Sequence, residues 1–180
     1  MAERDTGHGL AAPVLDAPTR VLIVAAPFYR ALADQLIAGA RAALEAAGVE
    51  IDLVEVPGAL EIPTAIRLAS YSSLYDGYVA LGCVIRGETT HYDTVCNDSS
   101  RGLTLLGLEG LCIGNGILTV ENLAQGEARA DAAGMNKGGG AAEACLHLGN
   151  GILTVENLAQ GEARADAAGM NKGGGAAEAC

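Results

Sequence analysis

The sequence is short of aromatic residues and of positive charge. Its 180 residues include no Trp, one Phe and five Tyr, although half of them are hydrophobic. A core with so few rings has to be filled by Val, Ile, Leu and Ala. Lys and Arg number 11 against 22 Asp and Glu, a formal net charge of -11. That balance excludes a surface that tracks nucleic-acid phosphates, which needs clustered cations. A protein of this charge that handles an anionic ligand must concentrate its few cations locally. No run of 18 or more apolar residues is present, so no membrane-spanning helix is expected. The opening MAERDTGHGLAAPVLDAP lacks a basic start followed by an apolar stretch, so no signal peptide is expected either. The five cysteines (Cys83, Cys96, Cys112, Cys145 and Cys180) are odd in number and show no C-x-x-C spacing. This favours small reduced thiols in a cytoplasm over a disulfide framework or a zinc site. G-x-x-x-x-G-K-[ST], H-E-x-x-H and G-x-S-x-G are missing, as is G-x-G-x-x-G after the first apolar run. ATP, NAD, zinc and a serine nucleophile are therefore unsupported, and no cofactor or metal is expected.

What is present is a chain long enough for one domain, with short apolar runs alternating with helical spacing. Residues 1–18 carry Gly, Pro and Ala without a period and read as a flexible arm. Val21–Ala26 is a continuous apolar run closed by Pro27, as expected of a strand buried on both faces. From Arg30 to Ala47 the apolar positions Leu32, Leu36, Ile37, Ala40, Ala43, Leu44 and Ala47 keep helical spacing, and Gly48 is a natural stop. The alternation predicts strands at Ile51–Val56, Tyr78–Cys83 and Gly116–Val120. It predicts helices at Leu60–Ser70 and Thr90–Leu108, Gly102 and Gly107 weakening the latter, and the start of a short helix at Leu123–Ala128. Lys137–Leu148 is Ala-rich and reads as helical once past its three glycines, with Gly149-Asn150-Gly151 stopping it. Such alternation implies βαβ crossovers and a parallel sheet covered on both faces, with ligands beyond the C-terminal strand ends.

Gly114–Cys145 and Gly149–Cys180 are the same 32 residues, GNGILTVENLAQGEARADAAGMNKGGGAAEAC, offset by 35. A first half without that period excludes a solenoid; perfect identity points to a recent, engineered or artefactual duplication. The first copy, with short connections, is expected to supply the fourth strand. The second, residues 149–180, would be an extra edge element or a tail, leaving residues 19–148 as the domain proper.

Several residues fall where the strand-end rule places a ligand. Phe28 directly follows the first strand, either as an ordinary aromatic or as a stacking platform for a flat heterocycle. Gly58-Ala59-Leu60-Glu61 follows the second, either as a turn with Glu61 in a favourable first-turn position or as a place where a planar ligand meets backbone amides. Gly87-Glu88-Thr89-Thr90 follows the third and opens a helix, whose N–H groups can bind phosphate, though the threonines can equally be caps. His91 beside it can be structural or can give and take a proton near neutral pH. Arg129 and Lys137 follow the fourth strand as surface charge or as phosphate neutralisers.

VPGALEIP (Val56–Pro63), GCVIRGETTHYDTVCN (Gly82–Asn97) and GILTVEN (Gly116–Asn122), with Arg129 and Asn136-Lys137-Gly138 after them, resemble lumazine synthase in order and spacing, from about Thr19 to Leu148. The resemblance implies a flavodoxin-like sheet of order 2-1-3-4. It also implies a homopentamer, in some members a sixty-subunit shell, with sites between neighbouring subunits. The implied reaction condenses 5-amino-6-(D-ribitylamino)uracil with 3,4-dihydroxy-2-butanone 4-phosphate to 6,7-dimethyl-8-ribityllumazine, with loss of water and phosphate. By the same resemblance Phe28 stacks on the pyrimidine, and Ala59, Leu60, Glu61, Cys83, Val84 and Ile85 line the ribityl and uracil pocket. Glu88, Thr89 and Arg129 hold phosphate, with Lys137 secondary, and His91 moves protons. Asn115 stands where many members have a stacking aromatic. The competing reading is a flavin- or lumazine-binding shell protein whose duplicated tail has crippled catalysis.

Overall fold

The computed structural model describes residue 15 and residues 17–151. The arm expected over residues 1–18 therefore lies almost wholly outside the described residues, as does the second copy beyond Gly151. Four strands, β1 (Arg20–Ala26), β2 (Glu50–Glu55), β3 (Gly77–Ile85) and β4 (Ile113–Val120), form one parallel sheet of order β2-β1-β3-β4. Helices α1 (Arg30–Ala46), α2 (Glu61–Ser70), α3 (His91–Leu108), α4 (Leu123–Ala130) and α5 (Lys137–Gly151) connect and follow them. The fourth strand comes from the first copy of the repeat.

The sheet separates two aliphatic clusters. Val21, Ile23 and Ala25 of β1 and Val79, Leu81 and Cys83 of β3 pack with Leu32, Leu36, Ala40 and Leu44 of α1 and with Ala141, Ala142, Cys145 and Leu146 of α5. The alternate residues Leu22, Val24, Ala26, Tyr78 and Ala80 pack with Ile62 and Ile66 of α2 and Leu103 and Leu106 of α3. Each inner strand is thus buried on both faces, which is why both read as unbroken apolar runs. Edge strand β4 alternates instead, with Gly114, Gly116, Leu118 and Val120 buried and Asn115 and Thr119 exposed. Pro63 sits in the first turn of α2, where its missing N–H is harmless. Gly102 does not weaken α3 without return: a Cβ there would stand 2.8 Å from Pro63, so the glycine sets the approach of α3 to α2.

Two expectations are corrected, and one boundary moves. First, α5 begins at Lys137 and contains its three glycines rather than starting after them. The side chain of Asn136 caps the entry, its Oδ1 accepting from the Gly139 N–H at 3.0 Å. Gly138 and Gly139 are buried where the helix crosses α1, and a Cβ on Gly138 would collide with the Leu36 carbonyl. Second, Gly149-Asn150-Gly151 does not stop α5 after Leu148: among the described residues the helix runs to Gly151. A helical glycine costs only about 1 kcal/mol, and packing of Ala141, Cys145 and Leu146 sets the helix course. β4 starts three residues before Gly116, at Ile113, pairing Gly114 with Val79. Gly114 belongs in the strand because α5 lies directly on it: a Cβ would collide with the Ala141 carbonyl.

Two alanine substitutions should part ways in urea unfolding. Gly114→Ala forces a methyl onto backbone and should cost roughly 1–3 kcal/mol or more. Gly107→Ala, on an exposed turn of α3 with nothing within 4 Å of a new Cβ, should add about 0.5–1 kcal/mol. A Gly114→Ala protein as stable as its parent refutes the packing account.

Candidate functional site

The parallel order brings the ends of β1, β2 and β3 to one edge of the sheet. After β1, Pro27 ends the ladder and leaves Phe28 with 74% of its surface exposed, its ring 5.1 Å edge-on from Tyr29. An aromatic side chain held in water beside strand ends is a surface on which a flat ligand can stack. After β2, the Val56 N–H still donates to the Ala25 carbonyl (2.9 Å), so the chain follows β1 before turning into α2. The Glu61 N–H donates to the Gly58 carbonyl at 3.2 Å, closing that turn. The Glu61 carboxylate folds back over Gly58, where a Cβ would stand 2.9 Å from its Oε2. Ala59 is buried under the turn, while Leu60 and Glu61 face out.

β3 presents its last residues to different sides. The Cys83 thiol points into the α1–α4 layer, 3.4 Å from where a Cβ of Gly126 would stand, and burial pushes its pKa up to about 11. Val84 packs toward α2 and α3 and Ile85 toward α1, each half-buried. A ligand at this edge would therefore meet Cys83 through its backbone and not its sulfur. Past β3, every residue of Gly87–His91 is exposed. The Asp93 N–H donates to the Thr90 carbonyl at 3.0 Å as α3 begins. Thr90 makes no side-chain cap; a long bond from the His91 N–H to Thr89 Oγ1 (3.4 Å) is what steadies the turn. Glu88, Thr89 and His91 thus stand together on one open turn at a helix start, where backbone N–H groups favour an anion.

Asn115, Arg129 and Lys137 are gathered elsewhere. They line an open cleft of about 410 Å³ along β4, with Ile117, Thr119, Met135 and Asn136 among its other walls. Phe28, Glu61, Thr89 and His91 do not line it. Half-buried Arg129 donates from Nη1 to the Gln125 carbonyl at 3.0 Å, and Lys137 is exposed. Asn115 Oδ1 accepts from the Ile117 N–H at 3.0 Å, which ties its amide to the strand. One chain therefore carries two groups of candidate residues, and each is open to solvent.

The structure also shows residues that the sequence reading passed over. Arg30 grips Glu55 with both ends of its fork, at 2.6 and 3.0 Å, beside Phe28. That pairing holds the Glu55 carboxyl below the usual carboxylate range and keeps the guanidinium firmly protonated. Arg86 binds Glu121 and Asp93. Its place, directly before a glycine turn in a chain short of cations, was the available signal. Among the described residues no group of three or more His, Cys, Asp or Glu is placed to hold a metal ion, and no helix is long and apolar enough to cross a membrane.

Comparison with known proteins gives a consistent result. The family model for 6,7-dimethyl-8-ribityllumazine synthase matches residues 18–150. The chain is 57% identical to the 6,7-dimethyl-8-ribityllumazine synthase of Jannaschia sp. (strain CCS1) over 145 residues, 79% of this chain and 82% of that protein. It is 57% identical to the same-named protein of Novosphingobium aromaticivorans over 129 residues, 72% of this chain and 93% of the relative. For the Azorhizobium caulinodans protein the identity is 54% over 154 residues, 82% of this chain and 94% of the relative.

The buried thiols set an alkaline limit on stability. Folded Cys83 keeps its proton up to about 11 and Cys145 up to about 12, against an ordinary thiol value of 9.0. A raised folded value means the contribution is intact below the unfolded pKa and is lost as pH climbs toward the folded one. Urea midpoints should hold from neutrality to about pH 9 and fall from there to about pH 11 or 12. Native Cys83 should resist iodoacetamide at neutral pH; rapid labelling of it there refutes the burial.

Proposed function

The chain belongs to the 6,7-dimethyl-8-ribityllumazine synthase family, and from that premise we propose how its site works. It is a transferase-type enzyme of riboflavin biosynthesis. It condenses 5-amino-6-(D-ribitylamino)uracil with 3,4-dihydroxy-2-butanone 4-phosphate to 6,7-dimethyl-8-ribityllumazine, releasing phosphate and water. The reading as a disabled binding shell has no support among the relatives, which carry the synthase name.

The observation that carries the site reading is the open Gly87–Thr90 turn with His91 beside it, within the matched residues, with Phe28 exposed after the neighbouring strand β1. Phe28 stacks on the pyrimidine, and the Ala59–Glu61 turn with the Cys83–Ile85 backbone receives its polar edge and ribityl chain. Glu88 and Thr89 hold the phosphate through backbone N–H groups and a hydroxyl. The Glu88 carboxylate has the wrong sign for direct contact. An amine of the pyrimidine attacks the ketone and forms an imine as water leaves. Loss of phosphate follows, and the second nitrogen closes the ring with loss of water. Each step moves a proton, and His91 is the group placed to carry it. Holding both reactants in register supplies the larger share, about 7–11 kcal/mol in favourable cases.

The cations needed opposite the phosphate stand in the β4 cleft, which the strand-end residues do not line. This supports a site completed by a neighbouring copy, whose Arg129, with Lys137 secondary and Asn115 beside them, faces the strand-end group of the first. We therefore read the protein as a homopentamer or a larger shell. The free thiols of Cys83, Cys96, Cys112 and Cys145 support a cytoplasmic setting.

Purified protein should form lumazine from the two substrates faster than they condense unaided, followed by absorbance and fluorescence. His91→Ala should slow turnover by about 10²–10⁴-fold with the assembled size unchanged on gel filtration. Turnover equal to the parent's removes the proton-carrying role.

A further inference from the structure

Arg86 ends the ladder of β3, its N–H donating to the Val120 carbonyl at 2.9 Å. Its side chain then does three things at once. Nε lies 2.9 and 3.2 Å from the two Glu121 oxygens, and Nη1 lies 3.3 Å from Asp93 Oδ1. The guanidinium carbon stands 4.0 Å over the Tyr92 ring. Tyr92 and Asp93 open α3, so these contacts close a loop from residue 86 back onto residues 92 and 93. Everything between, Gly87 to His91, is exposed; the Asp93 and Thr94 N–H groups tie the Thr90 carbonyl to the helix start at 3.0 and 3.3 Å, and one long bond of 3.4 Å, from the His91 N–H to Thr89 Oγ1, lies within the turn.

Glu121 is itself held. Its N–H donates to Gln125 Oε1 at 3.1 Å, while the Gln125 N–H donates to Asn122 Oδ1 at 3.0 Å. This pair caps α4 in the manner of a capping box. The loop is thus strapped to a fixed helix start and not to another loose segment. The charge of Arg86 is already engaged by two carboxylates and a ring face, which suits an anchor better than a phosphate ligand.

We propose that Arg86 is a positioning residue for this reaction. It acts through Glu121 and Asp93 to hold the Gly87–Thr90 turn in the shape that receives the phosphate of the four-carbon substrate. The proposal rests on the phosphate reading of that turn given above. Only a planar fork can hold Glu121 and Asp93 together over a ring, so lysine does not replace it. The pairs are exposed, with side-chain exposures of 41%, 53% and 57% for Arg86, Asp93 and Glu121, so their loss leaves stability nearly unchanged.

The test uses steady-state kinetics on the assembled protein, with circular dichroism as the check on folding. Arg86→Lys keeps the charge, and Glu121→Gln keeps the arginine but removes its anchor. Each should raise KM for the phosphate substrate on the order of tenfold while KM for the pyrimidine stays within about twofold, since small displacements weaken a fitted site. The double variant should be no worse than Arg86→Lys alone, and inorganic phosphate should inhibit both single variants more weakly than the parent. An unchanged phosphate KM in Arg86→Lys overturns the proposal. So does a rise in Arg86→Lys with none in Glu121→Gln, which would make the guanidinium a direct ligand. Should Arg86→Lys fail to fold, Glu121→Gln carries the test alone. Arg129→Gln separates the two levels. If it raises phosphate KM and Arg86→Lys does not, only the positioning role fails; if neither does, the phosphate reading falls with it.

Discussion

The rest of the structure depends on how closely α5 lies against the sheet and α1. The Ala141 carbonyl occupies the place of a side chain on Gly114, and the Leu36 carbonyl does the same over Gly138. No residue but glycine fits either point. Close approach buries Ala141, Ala142, Cys145 and Leu146 without any large ring to fill the gap, which suits a chain with no Trp and one exposed Phe. It also brings Lys137 and Asn136 alongside the open edge of β4, so the cleft there is a product of backbone packing before it is a product of side-chain choice.

That packing leaves the chemistry at the rims. Arg20, Arg30, Arg67 and Arg86 are each paired with carboxylates, while Arg129 and Lys137 line the cleft. An acidic protein can in this way offer a phosphate a local positive field without a basic surface. The strand ends carry an exposed aromatic ring, an open helix-start turn and one imidazole, and the cleft carries the two cations, the division on which the proposed site is built.

Much of this was legible in the sequence because the signals were local. VLIVAA had to be an inner strand, and the apolar spacing of Arg30–Ala47 had to be a helix. Alternation gave a parallel sheet; its order 2-1-3-4 came from the resemblance, since alternation alone fixes no order. Gly87–Thr90 stood out as a turn opening a helix, and α3 does begin directly after it, at His91. What was not legible depended on distant partners. The glycines of α5 look like helix breakers until Leu36 is seen above them. Cys83 lies in a strand buried on both faces, so no alternation of polarity shows which way its sulfur points. Arg30 and Glu55 are 25 residues apart, and Arg86 and Glu121 are 35 apart, so nothing short of the fold brings them together.

The division between a dry aliphatic interior and a rim tied by exposed ion pairs has a consequence for how solution conditions act on the molecule. Ions screen the charges around Arg86 over a Debye length of about 8 Å at physiological ionic strength, while sulfate or phosphate salts strengthen apolar burial by exclusion from the surface. Added salt of that kind therefore tightens the body of the protein as it slackens the Arg86 strap over the Gly87–Thr90 turn. Ionic strength separates rigidity of the scaffold from order at the site, two properties that heat or urea would erode together.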